Sequence, residues 1–309
     1  MIEGSIPLVS VVIPTKDRRD LLREALASVR ALEGDDLRIE IIVADNSSRD
    51  DSSIVAAEFG ARFVTNDKPG ASATRNAGFR VATGDYIVFL DDDDLFLPEH
   101  LRPHLAMLHA RPDFGAVVGQ VQLADMQLTP FMEPYPRSMP DDGDLYRAFF
   151  GENPQVGATV SRMSVRESVG YFNEDLLSSE DSEWSLRLAL RHPIGFVPVP
   201  SILFRQRPMA THDDLQWMRL RVDAGVMIAS YRAAGRRRPP LAFAMRAISK
   251  FRGQFYWYFV QSALVHADKH ERAQMRRSLF RAFCASPIHA AHDLLRPSDL
   301  RRALSRAIR

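Results

Sequence analysis

From Leu8 to about Gly119 the chain alternates short apolar runs with amphipathic stretches, and this alternation restricts the fold more than any other feature. The apolar runs are rich in Val and Ile and have the length of strands, whereas the stretches between them have the apolar spacing of helices. Continuous apolar strands joined by helices are typical of a sheet that is covered on both faces. We therefore predict an α/β fold with a Rossmann-like, doubly wound, mainly parallel sheet.

The predicted elements follow from these patterns. Strands are predicted at Leu8–Pro14, Ile39–Asp45, Ala61–Asn66, Asp85–Asp91, Gly115–Ala124 and Gly195–Phe204. Helices are predicted at Asp20–Leu32, Asp144–Phe150, Ser164–Gly170 and Ser182–Arg191. The first of these helices places Leu22, Leu26 and Val29 on one face, as expected of a helix that packs on a sheet.

Charge divides the chain into two parts. Tyr231–Arg309 holds 17 Lys and Arg against 4 Asp and Glu, a net charge of +13, whereas the first 230 residues carry −12. Beyond Asp214 nearly every stretch has helical character, and Arg236–Pro240 is the favoured linker. We therefore predict an acidic α/β domain at 1–214 and a basic helical C-terminal extension at 215–309.

Several features bear on the compartment. The longest uncharged stretch in the apolar C-terminal part, Gly253–Ala267, is shorter than the about 20 residues that cross a bilayer. The N-terminus has no basic residue ahead of its apolar run, unlike a secretory signal. Cys284 is the only cysteine, so no internal disulfide can form. We expect a cytoplasmic protein, and the basic C-terminal region suits a peripheral contact at the inner face of the membrane.

Polar clusters follow three of the predicted strands where each strand ends. They are Thr15-Lys16-Asp17-Arg18, Asp45-Asn46-Ser47-Ser48 and Asp91-Asp92-Asp93-Asp94. Because ligands of doubly wound sheets bind beyond the carboxyl ends of the strands, we expect the three loops to meet at one site. Four adjacent carboxylates repel each other unless a cation or several donors compensate them. We favour a Mn²⁺ or Mg²⁺ site over a solvated acidic turn, and no cluster of His and Cys indicates zinc.

Four other residues have both a structural and a functional interpretation. Asp45 can cap the following helix, or accept a hydrogen bond from the imide N–H of a base. Arg75 can clamp a phosphate, or order the aspartates. Glu180 and Asp181 can belong to a capping box at a helix N-terminus, or Asp181 can act as a base. Spacing alone does not decide between these interpretations.

Five segments, taken in order, closely resemble the family 2 inverting glycosyltransferases of GT-A fold. They are VSVVIPTKDR, IIVADNSSRD, GASATRNAGFRVATGDYIVFLDDDD, VGYFNEDLLSSEDSEWSLRLALR and FRQR. The resemblance implies that 1–214 is a GT-A domain that binds a nucleotide-sugar, with a UDP-sugar favoured. It also implies metal-dependent transfer of the sugar to a hydroxyl of a glycan or lipid-linked glycan, by a single displacement with inversion. No nucleic acid partner is expected.

The same resemblance implies roles for particular residues. The nucleotide is expected to contact Pro14, Thr15, Asp17, Arg18, Asp45, Arg75, Asp91 and Asp92. Asp93 is expected to hold the metal, since Asp91-Asp92-Asp93 corresponds best to the D-x-D motif of the family, although four aspartates in a row leave this register open by one position. Asp181 is expected to be the base that deprotonates the acceptor hydroxyl.

The chain departs from the family pattern after the last strand. Phe204-Arg205-Gln206-Arg207 ends in arginine where the family commonly has histidine. The basic group that contacts the diphosphate is therefore open among Arg205, Arg207 and His212.

Other interpretations stay open at the level of sequence. A nucleotidyltransferase of sugar metabolism would share an α/β nucleotide site, but its first loop would be glycine-rich, and PTKDRRD has no glycine. A non-catalytic nucleotide- or carbohydrate-binding protein would have no need of Asp93 and Asp181. The aromatic run Phe251–Val260 and the terminal run LRPSDLRRALSRAIR, both with arginine flanks, can be interfacial helices or parts of a packed helical subdomain.

Overall fold

The computed structural model describes residues 6–139, 155–176, 179–207, 210, 212–233 and 241–308. The strands are β1 (Leu8–Thr15), β2 (Arg38–Asp45), β3 (Arg62–Thr65), β4 (Tyr86–Phe89), β5 (Leu95–Phe96), β6 (Ala116–Ala124), β7 (Thr159–Arg162) and β8 (Ile194–Arg205). The helices are α1 (Arg19–Arg30), α2 (Ser52–Glu58), α3 (Ala71–Val81), α4 (Leu101–Ala110), α5 (Val165–Ser168), α6 (Glu180–Arg191), α7 (Asp213–Ala233), α8 (Leu241–Asp268), α9 (Arg272–Ala285), α10 (Pro287–Leu294) and α11 (Asp299–Ile308).

The predicted elements that fall on described residues are confirmed, with ends that agree to within two residues. The predicted helix at Asp144–Phe150 and the predicted linker at Arg236–Pro240 lie outside the described residues. Contacts divide the chain into two compact units, Met1–Gln206 and Arg207–Arg309. This division lies ahead of the predicted one at residue 214, because Asp213 and Asp214 make their side-chain contacts within the second unit.

The first unit contains one eight-stranded sheet in the order β3-β2-β1-β4-β7-β6-β8-β5. Parallel pairs join β1 to β2 and β4, β2 to β3, and β6 to β8, so the sheet is mainly parallel as predicted. The sequence did not predict β5 and β7, which pair antiparallel with β8 and with β4 and β6. β5 contains only two residues, and β7, TVSR, contains a single apolar residue, Val160, so neither shows an apolar run in the sequence.

The core of this unit explains why its strands are continuously apolar. Val11, Val12 and Ile13 of β1 are all buried, so the strand is covered on both faces. Helix α1 packs Leu22 and Leu26 into the same core, on the face predicted from their spacing. The sheet is therefore a buried platform, and the loops at the carboxyl ends of its strands carry the polar residues.

Gly84 lies where α3 leads into β4, against the main chain of β1. A Cβ at this position would lie 2.7 Å from Ser10 N and 2.8 Å from Leu8 O. Because these are main-chain atoms of a packed strand, they cannot move aside as a side-chain end would. Gly84→Ala is expected to lower the free energy of unfolding by about 1–3 kcal/mol in a thermal or urea melt. Gly225→Ala in α7 is the control, since nothing lies within 4 Å of its added Cβ; equal losses in both variants would contradict the steric explanation.

The second unit is helical, with a core of its own. The aromatic run Phe251–Val260 lies within α8, and Phe255, Tyr256 and Phe259 are buried in this core. The structure therefore favours the packed-subdomain interpretation for this run. Within the described part of the chain, no helix combines the length and the apolar character needed to span a membrane.

Asp213 anchors the first turn of α7 to the two following helices. Its carboxylate accepts hydrogen bonds from the hydroxyls of Ser262 and Ser278, each at 2.6 Å, and lies 3.2 Å from Nε2 of His266. Burial alone would raise the pKa of Asp213, but hydrogen bonds from these groups and from Tyr258 outweigh it and lower the pKa overall. The carboxylate is therefore a satisfied structural group of the helical unit.

Candidate active site

The three predicted polar loops meet at the carboxyl ends of adjacent strands. Thr15 Oγ1 donates to Asp92 Oδ2 at 2.7 Å, which joins the loop after β1 to the aspartate run after β4. Asp17 N donates to Ser48 Oγ at 2.8 Å, and Arg49 N donates to Asp17 Oδ1 at 2.7 Å, which joins the loops after β1 and β2. Because β1 lies between β2 and β4 in the sheet, its loop can reach both neighbours. The predicted convergence is confirmed.

Asp45 ends β2, and only one oxygen of its buried carboxylate has a hydrogen-bond partner among the described residues. Its Oδ2 accepts a hydrogen bond from Ser48 N at 3.0 Å, which closes the turn, and α2 begins only at Ser52. The helix-cap interpretation is therefore wrong, because the carboxylate bonds to the turn and not to the helix. Its Oδ1 is buried and has no hydrogen-bond partner among the described residues. Buried carboxylate oxygens are normally satisfied, so this atom is a candidate ligand acceptor.

Three arginines contact the four aspartates. Asp91 accepts from Arg75 Nη2 at 2.6 Å, and Asp92 accepts from Arg18 Nη1 at 2.9 Å. Asp93 Oδ2 lies 3.4 Å from the same Arg18 atom, and Asp94 accepts from Arg205 N at 2.9 Å. Main-chain and side-chain donors therefore compensate much of the repulsion that the sequence pattern implies.

Burial distinguishes the four aspartates further. Asp92 and Asp94 are each 4% exposed, so the interpretation as a solvated turn is wrong. Burial raises the pKa of Asp92 to about 6, although Arg18 and Thr15 oppose the shift, and it raises the pKa of Asp94 well above its usual range. The side chains of Asp91 and Asp93 are 37% and 16% exposed. These two are the partly exposed members of the run, so a ligand can approach them.

The chemistry of this donor set fits a hard divalent cation. Carboxylate oxygens are the ligands that Mg²⁺ and Mn²⁺ prefer, and Asp93 is the more enclosed of the two accessible aspartates. Among the residues that the structure describes, no group of three or more His, Cys, Asp or Glu side chains is arranged as a metal cage.

Arg75 joins the aspartate run to the start of α6. Its Nη1 donates to Glu180 Oε1 at 2.7 Å, and its Nη2 donates to Asp91 Oδ1 at 2.6 Å. The guanidinium is buried, which by itself lowers its pKa, but the two carboxylates outweigh burial and raise it. Of its two predicted roles, ordering the aspartates is thus the one with observed contacts. This bridge connects residues that are 105 positions apart in the chain.

Asp181 lies one residue after Glu180, in the first turn of α6. Ser179 precedes the helix with a left-handed φ of 61° and makes no side-chain cap hydrogen bond. The capping box suggested by the spacing is therefore not formed. Asp181 Oδ1 accepts from Ser182 N at 2.7 Å. The negative charge of Asp181 also contributes to the raised pKa of Arg75. The predicted base thus lies near the same bridge that holds Asp91.

Arg205 joins the aspartate run to α1 and to the residues after β6. Its Nε donates to Asp93 O at 2.9 Å, its Nη1 to Met126 O at 3.0 Å, and its Nη2 to Glu24 Oε2 at 2.6 Å. Because these contacts occupy a buried guanidinium, Arg205 is a support of the loop. Sequence analysis missed this role, because the predicted strand ended at Phe204 and Arg205 was considered only for the diphosphate, whereas the observed strand includes Arg205. Arg207 and His212, which approach each other at 3.1 Å, stay as the predicted alternatives for the diphosphate.

The fold and the polar residues at its strand ends define an α/β protein of the GT-A class. A family model described as Glycosyl transferase family 2 matches residues 10–168, slightly more than half of the chain. The chain belongs to glycosyl transferase family 2. This confirms the predicted family and favours glycosyl transfer over nucleotidyl transfer.

Similar proteins are known at the levels of sequence and structure. An uncharacterized glycosyltransferase of Haemophilus influenzae is 25% identical over 196 residues, 62% of this chain and 64% of that protein. A GalNAc(5)-diNAcBac-PP-undecaprenol beta-1,3-glucosyltransferase of Campylobacter jejuni is 35% identical over 99 residues, 30% of this chain and 31% of that protein. The chain thus spans less than two thirds of the length of these curated relatives.

The crystal structure of S. aureus TarS 1-349 matches with a TM-score of 0.60 at 18% identity, covering 97% of this chain and 88% of that chain. The complex of the same protein with UDP-GlcNAc matches with a TM-score of 0.58. This likeness confirms the predicted GT-A fold.

Proposed function

We propose that this protein transfers a sugar from a UDP-sugar to an acceptor hydroxyl of a glycan or lipid-linked glycan, with inversion and with Mn²⁺ or Mg²⁺ as cofactor. The observation that carries the proposal is the convergence of the loops after β1, β2 and β4 with the start of α6. The contacts that join them are Asp17–Ser48, Thr15–Asp92, Arg75–Asp91 and Arg75–Glu180. The UDP-GlcNAc complex of TarS and the undecaprenol-linked acceptor in the name of the Campylobacter relative support the donor and acceptor classes.

Asp45 supports a particular class of nucleobase in the donor. An ionised carboxylate only accepts hydrogen bonds, and the unpartnered Oδ1 is the atom that a base would satisfy. Uracil and thymine present an imide N–H and guanine presents a lactam N–H, whereas cytosine has an acceptor nitrogen at the corresponding position. The site is therefore expected to bind UDP, dTDP or GDP in preference to CDP.

A thermal-shift panel of UDP, GDP, dTDP and CDP, with and without Mn²⁺, tests this donor assignment. A ligand at about 100 times its dissociation constant stabilises the folded state by about 2.7 kcal/mol, which is readily measured. Stabilisation by CDP equal to that by UDP would contradict the role of Asp45. Stabilisation by none of the four would contradict the donor class itself.

The exposed rim of the aspartate run is the proposed place of the metal. Asp93, with Asp91 beside it, would hold the ion, and phosphate oxygens and water would complete its coordination. When bound, such an ion neutralises the charge that develops on the leaving diphosphate. Arg18 and Arg75 hold the aspartates in place, so the carboxylates are arranged before the donor arrives.

Asp93→Ala is expected to remove the Mn²⁺-dependent part of nucleotide stabilisation without unfolding the protein, because its carboxylate is partly exposed and belongs to no apolar cluster. The nucleotide panel with and without Mn²⁺ measures this loss. Asp113→Ala serves as the control, since Asp113 is an exposed carboxylate whose partner is Arg111 on the surface. Full Mn²⁺-dependent stabilisation in the Asp93 variant would exclude it as the ligand and make Asp91 the next candidate.

A base near the acceptor completes the proposal. In this proposal Asp181 takes the proton of the acceptor hydroxyl as that oxygen attacks the sugar, which would give inversion in one displacement. The Arg75–Glu180 contact fixes the helix turn that carries Asp181 relative to the aspartate run. The buried Arg75 would thus orient both the aspartates that bind the sugar donor and the base that acts on the acceptor hydroxyl.

A further inference from the structure

Helix α10 carries its apolar side chains on the outside. Its inner side holds Ala290 and Asp293, both buried, whereas Ile288 is 75% exposed and Leu295, just past the end of the helix, is 84% exposed. Ile288, Ala291 and Leu295 are three and four residues apart, so they form one line along the helix. We call this line, with the adjacent Arg296, the α10 outer face.

Contacts on the inner side hold the helix in this orientation. The hydroxyl of Tyr256 donates to Asp293 Oδ2 at 2.8 Å, and the ring of Tyr256 stacks on His289 at 5.6 Å between centroids. Ser298 Oγ donates to Asp293 O at 2.8 Å. Turning the helix to bury Ile288 would break a buried hydrogen bond to a carboxylate, which is unfavourable. Exposure of the aliphatic line is therefore built into the fold.

Positive charge lies at the Leu295 end of this line and on the neighbouring helix. Arg296 follows Leu295 directly, and Arg301 lies on the exposed face of the adjacent α11. Neither guanidinium forms an ion pair with a residue that the structure describes. The segment from Tyr231 to Arg309 carries a net charge of +13. The outer face therefore presents aliphatic side chains beside unneutralised arginines.

We propose that the α10 outer face binds the surface of an anionic phospholipid bilayer. Aliphatic side chains that enter the acyl boundary, next to arginines that meet the headgroups, are the combination that interfacial helices use. A second copy of this chain would bring two strongly positive surfaces together. A nucleic acid would offer phosphates to the arginines, but its backbone is contacted by polar and basic groups and not by an aliphatic line.

This proposal is independent of the donor and the reaction. It also narrows the sequence expectation, which gave membrane contact to the basic C-terminal region through two segments. These were the aromatic run of α8, whose described rings are largely buried, and the terminal run that begins at Leu295. Among the side chains of the aromatic run that the structure describes, the exposed ring is that of Trp257. It packs edge-on at 5.2 Å against Tyr256, which contacts Asp293 and His289 of α10.

Co-sedimentation of the full-length protein with vesicles of equal parts phosphatidylglycerol and phosphatidylcholine tests the proposal. The double variant Ile288→Ser, Leu295→Ser is expected to lower the vesicle partition coefficient by at least about tenfold, because two aliphatic side chains no longer leave water. Arg296→Gln is expected to lower it by about fivefold on these vesicles, and binding to pure phosphatidylcholine should be weak for every variant. Ile54→Ser is the matched control, since Ile54 is a 57% exposed isoleucine of α2. All substituted positions are exposed, so the melting temperatures should stay unchanged.

Wild-type protein that does not sediment with anionic vesicles, or a double variant that sediments as well as wild type, would overturn the proposal. Two other measurements would reassign the surface. A dimer in analytical ultracentrifugation that the double variant disrupts would assign the face to a second copy. Duplex DNA binding that the double variant abolishes, with no vesicle binding, would assign it to nucleic acid.

Discussion

Replacing Asp181 with asparagine is expected to reduce sugar transfer by at least about 100-fold, while nucleotide affinity and melting temperature stay close to wild type. Asparagine keeps the side-chain oxygen that accepts from Ser182 N at 2.7 Å, so the first turn of α6 keeps this hydrogen bond. An amide, however, cannot take the proton of the acceptor hydroxyl. A purely structural Asp181 would leave most of the activity intact, because asparagine can make the same hydrogen bond to Ser182 N.

Initial transfer rates, measured with the donor that the nucleotide panel identifies, check this prediction. Glu183→Gln is the matched control, because it removes the same charge from the same turn. Glu183 is held by Arg187, whose Nε donates to it at 2.6 Å, so this variant should keep its activity. More than about a tenth of wild-type turnover in Asp181→Asn would contradict its role as the base and direct attention to Glu180.

Replacing Arg75 with methionine is expected to lower the free energy of unfolding by about 3 kcal/mol and to abolish transfer. The change leaves the carboxylates of Asp91 and Glu180 without their shared partner, and breaking a buried ion pair on one side typically costs about 3–5 kcal/mol. The lower end of this range applies because Asp91 is 37% exposed and water can solvate it in the variant. Transfer should be lost because the start of α6 is no longer tied to the aspartate run.

Urea unfolding of Arg75→Met beside two further variants separates this cause from a general loss of packing. Arg80→Met lies on the same helix, where the arginine is 51% exposed and pairs with Glu174, and it should cost less than about 1 kcal/mol. The double change Arg75→Met, Glu180→Gln should recover part of the lost stability, because one uncompensated charge is removed. If Arg80→Met were as destabilising as Arg75→Met, the buried bridge would not explain the effect.

The location of the candidate site could be predicted from residues near each other in the chain. Parallel strands end at the same edge of a sheet, so polar residues directly after β1, β2 and β4 had to lie together once the strands were recognised. Asp45 shows the limit of this reasoning. Its place at a strand end was predictable, but the turn to Ser48 and the unpartnered Oδ1 depend on the loop conformation.

The partners of the charged groups could not be predicted in the same way. Four consecutive aspartates look equivalent in the sequence, yet in the structure two of them are buried and two are partly exposed. Arg75, Arg18 and Arg205 contact different members of the run. These arginines come from different parts of the chain, and Arg205 N is 111 positions from Asp94. Periodicity reports which face of an element is apolar, but it carries no information about which distant charge will be brought to that face.

The amino-acid sequence by itself determined the alternating strand and helix pattern, the family, and the residues at the strand ends, because these depend on local spacing and on motifs within short segments. Only the tertiary structure decided that β7 enters the sheet antiparallel, that Arg75 ties Asp91 to Glu180, and that α10 turns its aliphatic side outward. The physical reason is common to all three. Each depends on contacts between segments that are far apart in the chain, and the free energy of such contacts is set by how the folded elements pack.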